Sequence, residues 1–150
     1  MLIIKEKMAI VNELNKRERE DIKPFIIDQP IYTAFSEKYI TLVEKYSFYF
    51  SSKYNFIVPR LFTWDGASIP ELVSSVVGQK MEPIMILPSL AHDYLYRTGL
   101  YTRKRADLIF YKLCILNGME KIKARGMYNI LRMFGGVPYE KYKKRGLHNL

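Results

Sequence analysis

The hydrophobic pattern of this chain changes character part-way along, and that change sets what it can fold into. Between Ile31 and Val58 the stretches I-Y-T-A-F, K-Y-I-T-L-V-E-K-Y-S-F-Y-F and Y-N-F-I-V-P are rich in β-branched and aromatic residues. Such side chains suit a pleated, half-buried surface. Ser36-Glu37 and Ser51-Ser52-Lys53 separate the runs, and Pro59, which has no amide hydrogen to donate, ends the last one. After Pro70 the apolar residues recur at helical spacing instead, punctuated by Gly78, Gly99, Gly118 and Gly135-Gly136. The pattern predicts an α+β fold: a small antiparallel sheet followed by a cluster of three to four helices.

The punctuation places those helices. One starts at Pro70 and stops near Gly78. Pro88 suits a first helical position, Ser89 to Thr98 continues that helix, and Gly99 stops it. Thr102 is the expected N-cap of a helix over Arg103 to Asn117, with Ala106, Ile109, Phe110, Leu113 and Leu116 as its apolar stripe. A last helix over Glu120 to Phe134 is ended by Gly135-Gly136 and Pro138. Ahead of the sheet, Ile4, Met8, Val11 and Leu14 mark an added N-terminal amphipathic helix, with K-R-E-R-E-D (16–21) as a linker. Leu61 to Pro70, L-F-T-W-D-G-A-S-I-P, reads as an irregular turn. The whole is one domain of 150 residues: helix and linker over 1–23, a core over 31–136, and a loosely ordered basic tail over 137–150.

Charge and cysteine usage narrow the setting. Residues 97–150 hold 13 Lys and Arg against 3 Asp and Glu, so the net charge of +9 resides in the C-terminal third. That region favours polyanions, whether DNA, an anionic membrane surface or an acidic protein surface. The one cysteine, Cys114, excludes an internal disulfide and fits a reducing compartment. No signal peptide is read, because Lys5 and Glu6 follow the first apolar residues at once, and no apolar run is long enough to span a bilayer.

Reactive chemistry concentrates in A-H-D-Y-L-Y-R-T-G (91–99). On a helix, His92 and Tyr96 share a face and Asp93 lies a step around. A short link to the next helix makes the two antiparallel neighbours, so that Asp107 can reach the His92 ring, fix its tautomer and raise its basicity. Asp93 is then free for a cation or a guanidinium. The same residues also admit a plain structural reading. Asp93 and Arg97 are four apart and pair as a salt bridge, Tyr94 and Tyr96 are core aromatics, and Asp107 pairs with Arg103 or Arg105. Asp65 and Ser68 read as an Asx-turn and a helix cap before Pro70. Two distant histidines cannot build a zinc site, no glycine-rich phosphate loop occurs, and Ser68 lacks the glycine-flanked elbow of a nucleophilic serine.

F-T-W-D-G-A-S-I-P (62–70), A-H-D-Y-L-Y-R (91–97), R-A-D-L-I-F-Y (105–111) and L-R-M-F-G-G (131–136) together resemble a domain-of-unknown-function family common in bacteriophage and prophage genomes. Trp64 stands where that pattern has threonine. The resemblance implies a phage origin and no established activity. More loosely, the His-Asp-x-x-Tyr helix followed by Asp107 is similar to the paired helices of calcium-dependent secretory phospholipases. That similarity implies His92 as the base that activates water, Asp93 as calcium ligand, Asp107 as the orienting carboxylate and Tyr96 as its brace. The glycine-rich calcium loop of that class has no counterpart, since the corresponding window reads L-V-S-S-V-V.

Two functions follow as expectations. One is a non-catalytic virion or assembly component, found in host cytoplasm during assembly and in the virion. It needs no cofactor, and binds phage structural proteins and DNA or an anionic membrane. There Asp65, Ser68, Trp64 and Tyr94 support a hydrogen-bonded bracket. The other is a calcium-dependent lipid-ester hydrolase using His92, Asp93 and Asp107.

Overall fold

In a computed structural model the described residues are 31–35, 39–64 and 83–149. The N-terminal helix, the helix expected to start at Pro70, and both Asp65 and Ser68 lie outside them. The chain divides into two compact units, residues 1–65 and 66–150.

The described residues of the first unit form antiparallel β structure. Strands β1 (Thr33–Phe35), β2 (Ile40–Leu42) and β5 (Thr63–Trp64) form a three-stranded sheet with β2 in the middle. Strands β3 (Tyr46–Tyr49) and β4 (Asn55–Val58) form a separate hairpin. The long run over 38–50 is therefore two strands in two sheets, parted at Val43–Lys45. The alternation explains the hairpin. Tyr46 opposes Val58 and Phe48 opposes Phe56, all buried, whereas Ser47 opposes Ile57 and Tyr49 opposes Asn55 on the exposed face. The Phe48 and Phe56 rings stack with centroids 4.9 Å apart. Trp64, expected in an irregular turn, instead pairs with Ile40 in β5 and is fully buried.

The turn that returns the chain to β5 carries a conformational cost. Phe62 N–H donates to the Pro59 carbonyl at 3.2 Å, and Leu61 at its third position sits at φ 70°. A side chain in this left-handed region costs about 1–2 kcal/mol, and turns of this kind select glycine there. Leu61 is exposed, so its side chain recovers little by packing. Leu61→Gly is expected to raise stability by about 0.5–1 kcal/mol, the strain relieved less the entropy glycine adds to the unfolded chain. A lowered melting temperature in that variant would show that the turn is not strained.

The described residues of the second unit are helical, which completes the α+β class. Helix α1 spans Pro83–Thr98, α2 Arg103–Leu116, α3 Lys121–Phe134 and α4 Gly136–Lys144, followed by a 3-10 turn at Leu147–Asn149. Helix α1 starts five residues before the position expected from Pro88, which lies inside it. Thr102 is the N-cap of α2, its hydroxyl accepting from Arg105 N–H at 3.2 Å. Helix α2 packs on both α1 and α3 and is buried on most sides, with ten buried residues from Ala106 to Leu116.

The C-terminal segment departs from the loose tail expected. Gly135-Gly136 ends α3 but opens α4 directly, because Pro138 falls in the first turn, where a missing amide hydrogen breaks no helical bond. The end of the chain then folds back on α1. His148 donates Nε2–H to the Tyr96 carbonyl at 2.7 Å, and its ring lies 4.6 Å from that of Tyr139. Gly99, at φ 63°, ends α1 under the His148 ring, where a Cβ would collide with the imidazole.

Candidate functional site

The site is built on α1 and α2 and closed by α3. The four-residue spacing of His92 and Tyr96 brings both side chains to one patch of α1, facing α2. Asp107 lies in the second turn of α2 and meets them. Its Oδ1 accepts His92 Nε2–H at 2.8 Å and the Tyr96 hydroxyl at 2.5 Å. Its Oδ2 accepts Arg132 Nη1–H from α3 at 2.8 Å, and Arg103 Nη1 stands 3.7 Å away on α2 itself. One carboxylate thus joins three helices.

Burial makes this arrangement obligatory. Asp107 is 0% exposed, Tyr96 1% and His92 4%. Desolvation by itself pushes the Asp107 carboxyl upward. The His92 ring, the Tyr96 hydroxyl and the Arg132 guanidinium outweigh it and hold the group below the ordinary carboxylate range. The same burial, with Asp107 beside it, drives the Tyr96 phenol far above its usual range, so it remains a donor. An ionised Asp107 fixes the His92 tautomer with its proton on Nε2. The His92 ring packs 4.0 Å from that of Tyr96 and edge-on to Phe110 at 5.2 Å. Nδ1 has no hydrogen-bond partner among the described residues.

Arg103 does a second task. Its Nη1 and Nη2 donate to the carbonyls of Leu131 and Arg132, at 3.1 and 3.2 Å, at the C-terminal end of α3. A cation there satisfies orphan carbonyls and complements the helix dipole. Arg103 therefore links the end of α3 to Asp107. Gly135 completes the junction, since a Cβ there would overlap the Tyr96 hydroxyl and lie 2.5 Å from the Leu131 carbonyl oxygen.

Of the residues singled out from sequence, His92, Tyr96 and Asp107 come together. Asp93 does not join them. It is buried and pairs through Oδ2 with Arg97 Nη2 at 2.7 Å, the i, i+4 salt bridge that the spacing allows. Tyr94 is half-buried on α1, and Trp64 belongs to the β unit. Asp65 and Ser68 lie outside the described residues. Among the described residues no three His, Cys, Asp or Glu side chains converge as a metal site. Cys114 is buried, and desolvation raises its thiol well above the ordinary range, so it is an inert core residue.

Sequence reasoning missed Arg132 and Gly135. Both lie in L-R-M-F-G-G, and that short motif was the available signal.

Comparison with known proteins places the chain in a family of unknown function. Residues 40–130 match the family described as a protein of unknown function, DUF1353, and the chain belongs to that family. It is 34% identical over 82 residues to the uncharacterised protein y4iH of Sinorhizobium fredii, covering 51% of this chain and 34% of that protein. It is 31% identical over 96 residues to the uncharacterised protein y4jT of the same organism, covering 59% and 29%. The chain thus spans about a third of the length of these curated relatives. No solved structure matches.

Proposed function

We propose that this DUF1353 chain is a non-catalytic component of a bacteriophage or prophage assembly that works through its basic surface. On this reading the Asp107 centre is a bracket that fixes the helices. The observation that carries it is saturation of a fully buried carboxylate: donors from α1 and α3 occupy both Asp107 oxygens, and His92 is packed against two aromatic rings. A reacting base needs room for substrate beside it, and His92 has 4% of its surface exposed. The four-part motif pattern supports the phage assignment. Binding is supported by the cations of the C-terminal third, which α4 displays as Lys141, Lys143 and Lys144 in its last turn. No helix among the described residues is long and apolar enough to cross a membrane.

One observation favours the hydrolase reading. His92 spends Nε2 on Asp107 and keeps Nδ1 without a bond among the described residues, the polarity of a base held from behind by a carboxylate. Calcium on Asp93 would have to displace the Arg97 guanidinium now at 2.7 Å.

His92→Gln separates the two. In the bracket the change lowers unfolding stability by about 1–2 kcal/mol, because the ring's packing is lost and donation to Asp107 is weakened. Denaturant titration reads this directly. Calcium-dependent fatty-acid release from anionic vesicles, abolished in a His92→Gln protein of unchanged stability, would overturn the bracket reading in favour of catalysis.

A further inference from the structure

The junction of α3 and α4 presents an open groove of about 800 Å³ that is far from polar. Met133, Phe134 and Val137 form its apolar part, with Met133 72% and Val137 79% exposed. Lys141, Lys144 and Arg145 form its rim, against a single acidic residue, Glu140. Helical spacing produces this arrangement. Val137, Lys141 and Lys144 recur at i, i+4 and i+7 along α4, so an apolar tip is followed by cations on one side of the helix. Ile122, 86% exposed, stands on the same stripe of α3 as Met133, eleven residues away. Exposed apolar side chains gathered beside cations mark an interaction surface rather than ordinary solvent-facing helix.

We propose that this α3–α4 face docks on anionic phospholipid membrane. The inference rests on reading the chain as a surface-binding protein and names its partner. Two parts of the chemistry select lipid. The cations match phosphate-bearing head groups, and their aliphatic stems allow the charged ends to stay in the head-group layer. Met133, Phe134 and Val137 then enter the acyl boundary, as the apolar face of an interfacial helix does. Duplex DNA would use the cations and leave these three side chains facing water.

The test is sedimentation of the full chain with vesicles of phosphatidylcholine alone or with roughly a third phosphatidylglycerol. Two variants accompany it, Lys141→Glu with Lys144→Glu, and Val137→Asp. All three positions are exposed, and circular dichroism checks that the fold is kept. Binding is expected only to the anionic vesicles and to weaken with salt, with each variant reducing partition about tenfold or more. Equal binding to neutral vesicles, or anionic binding that Val137→Asp leaves unchanged, would overturn the proposal. Capture of duplex DNA without vesicle binding, sensitive to the lysine changes but not to Val137→Asp, would replace lipid by nucleic acid and leave the surface-binding reading standing. Binding to neither would overturn both.

Discussion

Replacing Asp107 by alanine is expected to destabilise the helical unit by about 3–5 kcal/mol, the usual cost of removing one partner from a buried ionic cluster. Asp107 is the acceptor for His92, Tyr96 and Arg132 together, and it lies 3.7 Å from Arg103. Without it the buried Tyr96 phenol and His92 imidazole lose their acceptor, and the partly exposed Arg132 guanidinium loses its counter-ion. The cavity adds little, since the deleted group is small; the loss comes from unpaired donors. Asp107→Asn should cost less than Asp107→Ala, because its amide oxygen still accepts while its NH2 turns one accepting position into a clash of donors. Equal stability of wild type and Asp107→Ala in urea would sink the bracket outright.

The same carboxylate sets an acid limit. Its folded pKa lies below its unfolded value, so its contribution is fully present above the ordinary carboxylate range, about pH 4. It is lost as pH falls through the depressed folded value. Stability attributable to Asp107 should therefore be flat near neutrality and fall in acid, and Asp107→Asn should flatten that fall.

How far the site could be read from the chain depends on how many helices each contact spans. His92 and Tyr96 share a face by spacing alone, and a link of four residues obliges α1 and α2 to run side by side. Contact with Asp107 followed from local geometry. Arg132 arrives from 25 residues away on a third helix, whose rotation about its own axis no local period fixes. Helix α4 was hidden for a different reason. Two glycines and a proline form a strong stop signal, yet Pro138 is harmless in a first turn and Gly135 answers a neighbour rather than a backbone angle. The β unit shows the same limit: inward alternation over Tyr46–Phe50 is plain, but nothing local says that β2 and β3 enter different sheets.

Gly135→Ala should be the second most damaging change, at about 3 kcal/mol, the upper part of the usual overpacking range. Gly135 has φ −70° and ψ −13°, values open to any residue, so backbone freedom does not explain the glycine. Space does. The added methyl would overlap the Tyr96 hydroxyl, lie 2.5 Å from the Leu131 carbonyl oxygen and 3.2 Å from Arg103 Nη1. The carbonyl is backbone and cannot step aside, and Tyr96 can retreat only by releasing Asp107 Oδ1. The methyl therefore breaks a hydrogen bond that the bracket depends on. Coupling provides the sharper check. With Tyr96→Phe the hydroxyl is gone, so Gly135→Ala should cost clearly less in that background than in the wild type. Full additivity of the two changes in denaturant titrations would show that the glycine serves the α3–α4 turn alone. A shortfall in the double variant would place Gly135 inside the Asp107 network, and would explain the first glycine of the closing motif.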